Sequence, residues 1–195
     1  MNTILSKVAP DATKMIRMDH THVLATFHQY ETGAAPRTRQ ALVNTICLSL
    51  EIHAQLEEEI FYPAMRAADS PVVDKSIHEH EEMRRLIAQL RGADPASPDY
   101  DRMVMELMRD VMHHVADEET ILLPDAERLL GADRLSELGA EMTKRRFQLS
   151  APRAGELALN TVRAMPASTV LIAAGALIGG AYLVNHAVKH HAENR

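Results

Sequence analysis

The chain of 195 residues has no tryptophan, one cysteine, three phenylalanines and four tyrosines. With Cys47 alone, an intrachain disulfide is excluded, and its place between Ile46 and Leu48 suits a reducing interior such as a cytoplasm. Glycines and prolines are few, eight and nine, and fall mostly where helices should stop. A net charge of −6, with no sustained basic tract up to Ala140, argues against nucleic acid as a partner. Met1 to Pro10 has one lysine and too short an apolar run for a signal peptide. What the chain does have is eleven methionines, which read as packing between helices, and eleven histidines.

Apolar residues recur at helical spacing in four long stretches. The first, from about Asp11 to Glu31, carries Ile16, His20, Val23, Leu24 and Phe27 on one face and ends at Thr32–Pro36. The second, about Arg39 to Ala68, turns Ile46, Leu50, His53, Leu56, Glu57, Ile60 and Phe61 inward, and Ser70 is expected to cap the third. That third stretch, about Val72 to Arg91, has a stripe of Val73, Ile77, His80, Met83, Ile87 and Leu90. After the turn-rich Gly92–Pro98, the fourth runs from about Asp99 to Leu130 with Leu107, Val111, His114, Glu118, Ile121 and Leu122 inward. Short loops between four helices predict an all-α, up-down-up-down four-helix bundle over residues 11–130.

The second and fourth stretches share a motif. His53-Ala-Gln-Leu-Glu57-Glu58 and His114-Val-Ala-Asp-Glu118-Glu119 both read H-x3-E-E-x4-P, ending at Pro63 and Pro124. A His and a Glu four apart lie one above the other on a helix, so each copy aims an imidazole and a carboxylate at one point. The repeat extends upstream, where Asp19-His20 matches Glu79-His80 at nearly the same offset. The chain is therefore read as two related helical hairpins facing each other. An interior proline costs about 3 kcal/mol. Finding it twice at equivalent places predicts a kink or a helix end just past the proposed site.

Helical neighbours sort the histidines. His20, His53, His80 and His114 stand inside apolar stripes, whereas His78 and His113 are ringed by charged residues. Burying Glu57 and Glu118 as unpaired ions would cost several kcal/mol each, and a cation removes that cost. The bland alternative is a pair of Glu–His hydrogen bonds in a metal-free bundle. His20, His53, Glu57, His80, His114 and Glu118 are thus the candidate metal ligands. The set suits iron, manganese or zinc rather than magnesium or calcium, and exceeds one tetrahedral zinc. Glu58 and Glu119, about 100° round the helix, are read first as surface charge, with a hydrogen-bonding or bridging role as the alternative.

Taken together, Asp19-His20, His53-x3-Glu57, Glu79-His80 and His114-x3-Glu118 resemble the hemerythrin family, particularly bacterial proteins with HHE cation-binding domains. The resemblance implies a four-helix bundle with a non-haem di-iron centre bridged by an oxo or hydroxo group and two carboxylates. It implies reversible binding or sensing of dioxygen, iron homeostasis, or redox handling of peroxide, nitric oxide or ferrous iron. Two departures from the annelid oxygen carriers stand out: Ser76 where they have a histidine, and H-x3-E where they have H-x4-D. The lost ligand leaves a place for a water, Glu58 or Glu119, and a more open site favours redox turnover or metal exchange.

Beyond the bundle, residues 131–163 read as a short helix and a basic linker. Residues 164–188 read as a hydrophobic helix. Ala167 to Val184 has no charged residue and holds a Gly175-x3-Gly179 step. Lys144, Arg145, Arg146, Arg153 and Arg163 precede it, so the expectation is a cytoplasmic domain anchored to the inner membrane. The competing reading is an oligomerisation helix that gives a homo-oligomer.

Overall fold

The computed structural model describes residues 9–164 apart from 69 and 71. Helix α1, Ala12–Phe27, starts where Asp11 accepts the Lys14 amide at 2.9 Å. It ends earlier than the pattern suggested, because Gln29 and Tyr30 donate to carbonyls three residues back and Tyr30 Oη donates to Asp101. Helix α2, Pro36–Leu56, has its proline in the first turn, where no amide hydrogen is needed. A π-helical turn, Glu57–Phe61, joins it to α3, Tyr62–Ala67. Helix α4, Val73–Gly92, has no side-chain cap. Ser70 instead lies buried with its amide on the Met65 carbonyl. Helix α5, Pro98–Asp117, is capped by Ser97 and runs through a second π turn, Glu118–Leu122, into α6, Leu123–Ser150.

Each of α1, α2, α4 and α5 touches the next around a closed ring, which is the expected up-down-up-down bundle. Among the described residues there is no strand. The core has two apolar lobes. One gathers Phe27, Val43, Ile46, Leu86, Tyr100 and Leu107, and the other Ile16, Leu56, Phe61, Met65, Leu122 and Leu138. His20, His53, His80 and His114 lie between them along the helices, so a polar layer divides the core. Cys47 belongs to the first lobe, and burial pushes its thiol up to about 12, which makes it unreactive.

Gly131 breaks α6 with φ 71°, and the chain turns back. The rest of α6 runs beside α1 in the same direction: Gly139 lies against Pro10 and Asp11, and Arg146 against Asp19. After a short turn at Ala151–Arg153, helix α7, Ala154–Ala164, lies along α2. The stretch read as a short helix and linker is thus two packed helices. No helix among the described residues is long and apolar enough to cross a membrane. Ala167 to Val184, the expected anchor, lies outside the described residues.

Candidate metal centre

The two turns that carry Glu57 and Glu118 are the site's framework. In each, the chain closes an i→i+5 bond, from the Tyr62 amide to the Glu57 carbonyl and from the Leu123 amide to the Glu118 carbonyl. The wider turn gives each following proline, Pro63 and Pro124, a place in the first turn of a new α-helix, where its missing amide is harmless. The expected interruption is therefore a widening before the proline. It also resets the register: Ile121, expected inward, is exposed, while Leu122 and Leu123 take the buried positions.

The six sequence-derived candidates come together. His20, His53, Glu57, His80, His114 and Glu118 are all buried. Glu57 Oε2 lies 3.2 Å from His53 Nε2 and 3.3 Å from His80 Nε2. Glu118 Oε2 lies 3.3 Å from His20 Nε2 and 3.5 Å from His114 Nε2. Two overlapping groups result, His20/His53/His114/Glu118 and His53/Glu57/His80/His114, each with its donor atoms within 4.8 Å of one another. His22, His28, His78 and His113 lie outside the cluster, the last two as their charged neighbours indicated.

Every Nε2 faces inward and every Nδ1 faces a carboxylate. His80 Nδ1 meets Glu58 at 2.9 Å, His20 Nδ1 meets Glu119 at 3.0 Å, and His114 Nδ1 meets Glu79 at 3.0 Å. His53 Nδ1 lies 3.5 Å from Asp19 without a hydrogen bond to it. An ionised carboxylate only accepts, so it places the proton on Nδ1 and leaves the Nε2 lone pair inward, the tautomer a metal requires. Each supporting acid sits on a different helix from the imidazole it serves, and the four pairs close a ring round the bundle. Glu58 and Glu119 are therefore not plain surface charge. A position 100° from Glu57 or Glu118 is the flank that faces the neighbouring helix.

Sequence reasoning missed Tyr62. Its hydroxyl donates to Glu118 Oε1 at 2.8 Å and lies 3.2 Å from Glu57 Oε2 and 3.4 Å from His80 Nε2, with the ring stacked on His80. Ser76, the residue at the lost histidine, opposes the rise of the Tyr62 pKa. Tyr62 thus reaches both carboxylates and His80 from inside the cluster, whereas Glu58 and Glu119 face Nδ1 of His80 and His20. The only signal in the sequence was an aromatic residue just before Pro63, for which the second copy has Leu123.

Charge is finely balanced here. Burial and the neighbouring Glu118 raise the Glu57 pKa well above the usual carboxylate range. Burial opposes ionisation of Glu118 too, but the imidazoles of His114, His20 and His53 overcome it and hold Glu118 ionised. Burial thus works against ionising both carboxylates at once, and the imidazoles favour Glu118 as the ionised one. Burial pushes His53 down to about 4. His20 and His114 also lose by burial, but Glu118 more than compensates and raises both. Burial and the two glutamates drive the Tyr62 phenol upward.

The residues fit a cation. Nε2 of His20 and of His53, Oε1 of Glu57 and Oε2 of Glu118 are buried with no hydrogen-bond partner. Leaving such atoms unsatisfied costs about 1–3 kcal/mol each. Four imidazoles, two carboxylates and a phenol, without thiolate, form the nitrogen- and oxygen-rich set that first-row transition metals take.

Fold and donor set together define a helical bundle with a built cation site at its middle. The chain belongs to the hemerythrin HHE cation binding domain family, which matches residues 11–126. A DNA nickase of Nostoc sp. is 30% identical over 128 residues, 65% of this chain, and this chain spans only 36% of that relative. A protein of Mycobacterium tuberculosis is 29% identical, covering 61% of this chain and 76% of its own. The crystal structure of a hemerythrin HHE cation binding domain-containing protein from Mycobacterium kansasii shares the fold. Its TM-score is 0.65 at 19% identity, over 83% of this chain and 97% of that one.

Proposed function

We propose that the chain is a non-haem di-iron protein that binds or senses dioxygen or takes part in iron homeostasis. The ligands are His20, His53, Glu57, His80, His114 and Glu118, with Tyr62 beside them. The observation that carries this reading is the pair of overlapping four-donor groups, whose inward atoms include four without a partner while three of the four outward Nδ1 atoms are hydrogen-bonded to a carboxylate. Bound iron would supply Lewis acidity and one-electron redox chemistry. The chain's part is to hold the imidazoles in the donor tautomer and to supply a proton balance through Glu57. Its apolar lobes keep bulk water and larger molecules away. The ligands are almost wholly buried, which restricts visitors to the size of a diatomic or a peroxide. Two irons per chain in protein purified without added metal, lost in the His53→Ala/Glu118→Ala variant, is the expected result. Unchanged iron in that variant would sink the assignment, and a colourless protein with zinc or manganese would replace iron as the metal.

A second reading, redox turnover of peroxide, nitric oxide or ferrous iron, is favoured by Tyr62. A phenol that donates to Glu118 gives the site an acid next to the ligand position. Steady consumption of hydrogen peroxide that falls in Tyr62→Phe supports turnover, whereas optical bands that change reversibly with oxygen support binding. The nicking activity of the Nostoc relative is not adopted: this chain spans about a third of that protein, and its charge of −6 repels a phosphate backbone.

A further inference from the structure

Helix α6 beyond Gly131 lies outside the segment that the family covers, yet it reaches the centre. Arg146 grips both oxygens of Asp19, with Nη1 to Oδ1 at 2.6 Å and Nη2 to Oδ2. Asp19 in turn faces Nδ1 of His53. The other three supporting acids are held differently. Glu58 has Arg84 at 2.7 Å and Glu79 has Lys75 at 3.6 Å, both from helix α4 of the bundle itself. Among the described residues, the ion pair of Glu119 is with His20, the imidazole it serves. His53 alone takes its support from a side chain that is anchored outside the bundle.

We propose that Arg146 is a positioning residue for the metal centre: by clamping Asp19 it fixes the carboxylate behind His53, so the added helix sets how firmly the centre holds its metal. The inference rests on the di-iron reading above. A planar guanidinium fits a carboxylate in a two-pronged contact that fixes its plane, which a lysine cannot do. Asp19 turns both oxygens to Arg146 and stands 3.5 Å from His53 Nδ1, which has no other partner among the described residues, so where Arg146 holds the carboxylate decides what His53 meets. Because His53 belongs to both four-donor groups, a looser His53 affects both.

A neighbouring residue gives the control. Arg145 makes an equally two-pronged contact with Glu59, Nε to Oε2 at 2.7 Å and Nη2 to Oε1 at 3.0 Å, on the same helix. Glu59 is exposed and touches none of the ligand histidines, so Arg145 reports on docking of α6 alone. The experiment loads the full chain with ferrous iron and follows release to excess chelator. Supporting partners of metal ligands are each worth roughly 10–100-fold in affinity. Arg146→Gln and Asp19→Asn are expected to speed release by about tenfold each, and the double variant by no more than the larger single effect. Arg146→Lys falls between, and Arg145→Gln leaves release unchanged. The proposal is overturned if Arg146→Gln releases iron at the parent rate, if Arg145→Gln matches it, or if the two single effects multiply. In metal-free protein, the ring nitrogen signals of His53 offer a separate readout: Arg146→Gln should move them and leave those of His80 in place. A parent chain that took up no iron would refute the di-iron reading. His53 signals indifferent to Arg146→Gln would refute this one.

Discussion

Glu57 shows how much of the centre's behaviour lies in one proton. In the metal-free chain burial and Glu118 raise its pKa, and Glu118 raises His20 and His114 against burial. A cation must displace these protons to reach the donor atoms. Raised pKa values mean these protons are held to higher pH and compete with the metal there, so metal affinity is expected to fall as pH is lowered and loading to release protons. Titration calorimetry in buffers of different ionisation heat counts them, and a proton count of zero would contradict the arrangement. Tyr62→Phe removes the 2.8 Å donor of Glu118 and leaves that oxygen buried without it. The expected loss of stability is about 1–3 kcal/mol in metal-free protein. The loss should be smaller once metal is bound, which paired thermal melts of loaded and unloaded protein would reveal.

At the scale of elements, the π turns decide which residues meet. In a straight α-helix Tyr62 would lie roughly 140° from Glu57, on another face. The i→i+5 turn brings it above the carboxylate. Deleting Ile60 should close the turn to a plain α-helix that puts Tyr62 four residues after Glu57, on the same face, so Phe61 and Met65 keep their lobe. Retained cooperative unfolding in a thermal melt is the expected outcome, and its loss would count against this account of the turn. Gly139 offers a second test, since a Cβ there would stand 2.2 Å from the Pro10 carbonyl oxygen and 2.8 Å from Asp11 Cα. Both are backbone, so Gly139→Ala should cost about 1–3 kcal/mol, visible as a lower melting temperature. These features mark where sequence reading stops. His20, His53, His80 and His114 were legible because periodicity fixes the face of a regular helix. Ile121 and Tyr62 were not, because a one-residue widening changes the face without changing composition. The prolines gave a trace of it, since Pro63 and Pro124 announced an interruption but not its kind. Glu58 and Glu119 were underrated for a related reason: a flank position is solvated on a lone helix but reaches across on a packed one.

Across the whole molecule, α6 and α7 wrap the bundle, and α6 supplies Leu135, Leu138 and Met142 to the lobe below the centre. A chain cut after Leu130 is therefore expected to expose that lobe and to aggregate, whereas one ending at Ala164 should fold and hold metal. Comparing that shorter chain with the full one in a membrane fractionation tests the anchor read from Ala167–Val184, and equal partitioning would dismiss it. The ring of supporting acids has one more consequence. Asp19 serves His53 and Glu79 serves His114 within each hairpin, while Glu58 serves His80 and Glu119 serves His20 between hairpins. Neither hairpin holds a finished centre, but each carries half of everything the other needs. A chain severed between Ala68 and Val72 should accordingly reassemble from its two fragments when metal is added. Such complementation would follow from a centre whose supporting contacts are shared between the two halves.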